Sequence, residues 1–150
     1  MLDTSTSMVE EFKERYRNAK KALNIIFDTF NQYDHISMVS FSNSSKILGK
    51  YDHVTHAYQS TRDSILNDLS KIEVDTGTNY SAGFEQAMDT LGTISDVYTE
   101  CEQIILILLT DGAEEGENDA QQIIDNIKKD VRADLPGKKV RVIPFIFGKR

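Results

Sequence analysis

The sequence predicts an α/β fold, a doubly wound, mostly parallel sheet with helices on both faces. Three observations carry this reading. Apolar residues recur at helical spacing in four segments, and these alternate with short apolar runs of strand character. The one long apolar run, Ile104 to Leu109, is uninterrupted, the mark of a parallel strand covered on both faces. Polar loops rich in hydroxyls and carboxylates lie between strands and helices, which gathers them at the C-terminal edge of such a sheet.

The elements follow in order. Met8, Phe12, Tyr16, Ala19, Leu23, Ile26 and Phe30 are spaced by threes and fours as one long amphipathic helix. It opens on Ser7-Met8-Val9-Glu10, a capping box in which Ser7 caps and Glu10 reaches back. Ile36, Met38, Val39 and Phe41 read as a strand, Asn43-Ser44-Ser45 as a turn, and Lys46 to Tyr51 as an antiparallel edge strand. Tyr58, Thr61, Ile65, Leu69 and Ile72 space a second helix. Asp75-Thr76-Gly77-Thr78 is a loop, and Tyr80, Phe84, Ala87, Met88 and Leu91 space a third helix. After the buried strand comes an acidic loop, Asp111 to Asn118, and then a fourth helix on Ala120, Ile123, Ile124, Ile127 and Val131. Val140 to Phe147 is the last strand; Pro144 inside it places it near the sheet's border.

Composition narrows the function. A chain of 150 residues suits one domain. With 24 acidic and 17 basic residues the net charge is −7, which disfavours a general nucleic-acid binder. The basic excess of residues 128–150 reads as the solvated end of a helix and strand, since Lys and Arg favour helix C-termini, with contact to phosphate or lipid headgroups as the alternative. A single cysteine excludes an internal disulfide framework and a multi-cysteine zinc site. No apolar stretch approaches the roughly 20 residues that span a bilayer, so this segment does not insert into a membrane. The start does not have the pattern of a signal peptide. Only Met1 and Leu2 precede the first polar loop, where such folds place a hydrophobic strand, and the chain stops just after a strand. Residues 1–150 therefore read as a single domain that is incomplete at both ends, with its central first strand missing.

The chemistry lies in three loops. Asp3, Ser5 and Ser7 stand at i, i+2 and i+4, which point the same way in an extended segment. Thr78 precedes the third helix, and Asp111 directly follows the buried strand. Two carboxylates and three hydroxyls make an all-oxygen donor set that suits Mg²⁺ and, less selectively, Mn²⁺ or Ca²⁺. Two formal charges neutralise a divalent ion and leave room for water or for a carboxylate from a partner protein. The plain structural alternatives stay open for each residue: Ser7 as a helix cap, Asp3 as a turn residue, Thr78 as a helix start, Asp111-Gly112 as a turn dipeptide.

Asp3-x-Ser5-x-Ser7, Gly77-Thr78-Asn79-Tyr80 and Leu109-Thr110-Asp111-Gly112 together resemble the metal-ion-dependent adhesion site of von Willebrand factor type A (VWA) domains, whose sheet is Rossmann-like. The resemblance covers nearly the whole chain. It implies that Ser5, Ser7 and Thr78 touch the ion, and that Asp3 and Asp111 bind it directly or through water. Within the family, three stretches are similar to the VWA domain of voltage-gated calcium channel alpha-2/delta subunits. They are Gly77 to Glu85, Cys101 to Ile105 leading into Thr110-Asp111-Gly112 and Glu114-Glu115, and Lys139-Val140-Arg141-Val142. That likeness implies an extracellular or cell-surface domain of a larger membrane-associated protein, with a channel pore subunit as partner. In those subunits a cysteine just ahead of this strand links to another part of the same precursor, and Cys101 matches its position.

Other classes share parts of this pattern. An intracellular VWA scaffold would share the metal set and differ in compartment; a disulfide at Cys101 would favour the outside. A Mg²⁺-dependent phosphoryl-transfer enzyme of the haloacid dehalogenase type needs a second Asp two residues after the first, and Ser5 stands there. A serine hydrolase lacks its Gly-x-Ser-x-Gly elbow, and His35 precedes a strand away from the site edge. His53 and His56 stand three apart and would face one another on a helix. Asn43 and Asn79 fit the glycosylation pattern, but a glycan on Asn79 would obstruct the metal loop. Glu114, Glu115, Glu117 and Asp119 read as a solvated loop feeding a helix, with a looser Ca²⁺ contact as the alternative.

Overall fold

Leu2 and Asp3 form β1, the middle strand of a five-stranded sheet. The computed structural model describes residues 1–8, 13–49, 55–72, 74–92, 103–111, 125, 128–129 and 139–147. The further strands are β2 (His35–Ile36), β3 (Met38–Phe41), β4 (Ser45–Leu48), β5 (Thr55–His56), β6 (Gln103–Thr110) and β7 (Lys139–Ile146). The helices are α1 (Lys13–Thr29), α2 (Gln59–Ser70) and α3 (Tyr80–Gly92), and a 3₁₀ turn covers Thr6–Met8.

The sheet runs β4-β3-β1-β6-β7. β1 pairs in parallel with β3 on one side and β6 on the other, and β6 pairs in parallel with β7. Only β4 is antiparallel, joined to β3 through the Ser42–Ser44 turn. This is the doubly wound, mostly parallel architecture that the alternating pattern predicts. The first strand, read from the sequence as missing, is present in a two-residue form. It holds because it is paired on both sides: Leu2 lies opposite Ser40 and Leu109, and the Met1 carbonyl accepts from Leu109 N at 3.0 Å.

Each face of the sheet has its own apolar layer. On one, Leu2, Met38, Leu48 and Leu109 pack against Ala19, Leu23 and Phe27 of α1 and Ile65 and Leu69 of α2. On the other, Phe84, Met88 and Leu91 of α3 pack against Ile104 and Leu106 of β6 and Val140 and Val142 of β7. Ile107 and Leu109 of the apolar strand thus join one layer and Ile104 and Leu106 the other, so it is met from both sides, except at Ile105, which is exposed. The edge positions also follow. β4 and β7 are the outer strands, and Pro144, opposite Leu108, sits where its missing N–H matters least.

Some boundaries differ from the sequence reading. The single strand Ile36–Phe41 is two strands, because Ser37 separates residues with different partners. His35 and Ile36 pair with His56 and Thr55 in a separate antiparallel ribbon, while Met38–Phe41 join the main sheet. His56 is therefore on a strand, not a helix, with its ring 4.2 Å from that of His35; His53 lies outside the described residues. The first helix is preceded by the 3₁₀ turn, and Glu10 of its capping box is outside the described residues. Asp125, Lys128 and Lys129 are helical where the fourth helix is expected; the rest of it, the acidic loop after Asp111 and Cys101 fall outside the description. Among the described residues no helix is long and apolar enough to cross a membrane.

Candidate metal centre

β1, β3 and β6 are parallel, so their C-terminal ends share one edge of the sheet. Asp3 ends β1 and is fully buried. Its Oδ1 accepts the Ser5 backbone N–H at 2.9 Å, a local turn that short acidic side chains favour. The following 3₁₀ turn closes with Met8 N donating to Ser5 O at 3.0 Å. It brings the Ser5 and Ser7 hydroxyls to 2.9 Å from one another. In this structure the Ser7 hydroxyl thus meets Ser5, alongside any role at the helix start.

The other oxygen of Asp3 is held from β6. Thr110 Oγ1 donates to Asp3 Oδ2 at 2.6 Å, and the Tyr80 hydroxyl lies 2.7 Å from Thr110 Oγ1. With the Thr110 proton directed at the carboxylate, Tyr80 is the donor to Thr110. Burial raises the Asp3 pKa above its ordinary value. The hydrogen bonds from Ser5 and Thr110 oppose that rise, and the nearby Asp111 charge adds to it.

Asp111 follows β6, and its carboxylate is out of contact with solvent. Arg15 reaches it from α1: Nη1 donates to Asp111 Oδ2 at 2.8 Å and to the Ser7 carbonyl at 3.2 Å. One guanidinium nitrogen therefore joins the first loop to the third.

The second loop is tied in by its backbone. Asp75 N donates to Thr4 O at 3.2 Å, Thr4 N to Phe41 O at 2.8 Å, and Asn79 N to Ser42 O at 2.7 Å. Gly77 turns the chain at φ +76°, a conformation that favours glycine. Thr78 follows, buried at the rim of this edge. Asn79 caps α3 by accepting from Ala82 N at 3.0 Å. Asp75 forms an isolated parallel bridge with Ser5 and accepts from Ser42 Oγ at 3.4 Å.

Asp3, Ser5 and Ser7 are thus linked by direct hydrogen bonds. Asp111 joins them through Arg15, and Thr78 through the backbone of its loop. Three contributors escaped the sequence reading. Thr110 and Tyr80 were legible only as a loop residue and a core aromatic. Arg15 is one of several basic residues on α1, with no local pattern to single it out. The donor set is all oxygen, and among the described residues no three His, Cys, Asp or Glu side chains form a metal-holding group. A hard divalent cation fits such donors. It also fits the electrostatics, since positive charge favours the ionised form of a carboxyl whose pKa is raised by burial and, to a smaller extent, by the Asp111 charge.

Comparison with known proteins gives a consistent result. The family model described as von Willebrand factor type A domain matches residues 1–114. Human voltage-dependent calcium channel subunit alpha-2/delta-2 is 24% identical over 124 residues, 83% of this chain and 10% of that protein. The mouse counterpart matches to the same extent. The chain spans about a tenth of the length of these curated relatives. Among solved structures, a von Willebrand factor type A protein from Catenulispora acidiphila superposes with a TM-score of 0.64 at 15% identity, over 95% of this chain and 31% of that one. Proximal thread matrix protein 1 from the mussel byssus, in a structure with a zinc-occupied MIDAS motif, gives 0.60 at 19% identity, over 95% and 36%. At these identities the structural likenesses concern the fold.

Proposed function

The chain belongs to the von Willebrand factor type A family, and on that premise we propose that it is a divalent-metal-dependent protein-binding module. Asp3, Ser5, Ser7, Thr78 and Asp111 would hold the ion, with Mg²⁺ the first choice and Ca²⁺ or Mn²⁺ the alternatives. The observation that carries this reading is the pair of buried carboxylates, Asp3 and Asp111, set with the Ser5 and Ser7 hydroxyls at one sheet edge. When bound, the ion supplies an open position that takes an acidic side chain from a partner. The chain's own residues hold and orient the donors. The module binds and catalyses no reaction.

The finer reading follows the curated relatives. This is a domain of an auxiliary subunit like alpha-2/delta, on the outside of the cell in a larger membrane-associated protein. Its partner is then a calcium channel pore subunit, and Cys101 is oxidised to a cysteine elsewhere in the precursor. An unmodified thiol at Cys101 in the native protein would favour the intracellular scaffold instead.

Thermal unfolding tests the metal site. In EDTA the chain gives a baseline midpoint; Mg²⁺, Mn²⁺ and Ca²⁺ are then added in turn. An ion bound only by the folded state stabilises by about 2.7 kcal/mol at a hundredfold excess over Kd. The shift is expected in the wild type and lost in Asp111→Ala and Ser5→Ala. A cooperative wild-type transition with no response to any of the three ions would overturn the reading.

A further inference from the structure

The metal reading leaves one charged group at the site unexplained. Arg15 crosses from α1 to place Nη1 2.8 Å from Asp111 Oδ2 and 3.2 Å from the Ser7 carbonyl. Its side chain is mostly buried, 17% exposed, and that of Asp111 is fully so. A carboxylate taken out of water is costly without a positive partner. The guanidinium supplies that charge through a rigid, weakly hydrated fork well suited to such a place.

A divalent ion would seek the same carboxylate. Two cations sharing one carboxylate in a poorly solvated site repel each other strongly. We propose that Arg15 is a resident cation that competes with the metal for Asp111 and so sets the ion affinity of the site. The inference rests on the metal-binding reading. Without the ion, Arg15 neutralises Asp111 and clasps the first and third loops together. An ion held by Asp111 would place a second cation against the carboxylate whose Oδ2 Arg15 occupies, and would weaken that ion pair. The ion affinity of the site reflects that cost.

The test is calorimetric titration of the full chain with MgCl₂, together with thermal unfolding in EDTA. Arg15→Met keeps the apolar stem and removes the charge; Arg15→Lys keeps the charge. Arg15→Met is expected to bind Mg²⁺ about tenfold more tightly than wild type, from the loss of one unit of repulsion near the ion. Its midpoint in EDTA is expected to fall, because Asp111 loses that partner. Arg15→Lys is expected to stay close to wild type in affinity. A residue that only braces the loops would lower the EDTA midpoint without tightening metal binding. Unchanged or weaker Mg²⁺ affinity in Arg15→Met, with normal binding by wild type, therefore overturns the proposal. Arg15→Gln carries the same expectation and decides the matter should Arg15→Met not fold. If wild type and variants alike fail to bind Mg²⁺, the metal reading itself falls and this inference falls with it.

Discussion

Thr110 donates its hydroxyl proton to Asp3 Oδ2 over 2.6 Å, joining residues 107 positions apart at the ends of neighbouring strands. Tyr80 backs Thr110 from the first turn of α3. The carboxylate is thereby fixed from two directions, by Ser5 N on one oxygen and Thr110 on the other. Removing a donor from a buried charged acceptor costs about 1–3 kcal/mol. Thr110→Val is expected to lower stability by that order in urea unfolding without metal. Tyr80→Phe, one bond further from the charge, is expected to lose about 0.5–1.5 kcal/mol. A neutral Thr110→Val would show that Asp3 is held by the turn alone.

Ser7 and Thr78 separate ligand loss from fold loss. Ser7 offers its hydroxyl beside that of Ser5, and Thr78 stands in a loop held by backbone bonds that an alanine keeps. Each alanine variant is expected to weaken Mg²⁺ binding at least about tenfold, no less than the loss of an outer-shell partner causes. Stability in EDTA should shift little. Titration calorimetry and thermal unfolding, read together, check both halves. Wild-type affinity in Thr78→Ala would remove that residue from the ligand set.

The metal-free site carries a pH signature. Burial raises the Asp3 pKa in the folded chain, so the folded state holds that proton more firmly than the unfolded state does. From the unfolded value, about 3.9, up through the folded one, stability contributed by this group falls as pH rises. In EDTA the wild type should therefore lose stability relative to Asp3→Asn as the buffer moves from about pH 4 to neutrality. Saturating Mg²⁺ favours the ionised carboxylate and should close or reverse that gap at neutral pH. A gap in EDTA that does not vary with pH would show that Asp3 is not the group responsible.

Close packing of α3 against the sheet rests on Gly83. A Cβ there would lie 2.7 Å from Cγ of the buried Phe41 ring. Overfilling a packed core costs about 1–3 kcal/mol. Gly83→Ala is expected to lower the unfolding midpoint accordingly and, by pressing α3 away from β3, to disturb the Tyr80–Thr110 bond. The combined variant with Tyr80→Phe should then destabilise by less than the sum of the two.

Much of the fold was readable from local pattern. The spacing of Thr61, Ile65 and Leu69 marked the buried face of α2, and the apolar run Ile104–Leu109 marked the strand met from both sides. The placing of Pro144 marked an outer strand. The break at Ser37 was not readable, because Ile36 and Met38 are both buried and apolar yet serve different sheets. A two-residue central strand was also hidden, since Leu2 and Asp3 gain strand character from β3 and β6 on either side.

The same division runs through the site. Residue type and order bring Asp3, Ser5, Ser7 and Asp111 to one edge, because the parallel strands that precede them end there; Thr78, between α2 and α3, reaches it through the backbone bonds of its loop. These features are local, and periodicity and loop chemistry express them. Which side chains meet across that edge is another matter. Arg15 finds Asp111 across 96 positions and Thr110 finds Asp3 across 107. Those meetings depend on strand order, register and the seating of α1 on the sheet. No local pattern encodes such contacts, because a hydrogen bond needs its two atoms within about 3 Å, and only the assembled layers set that distance.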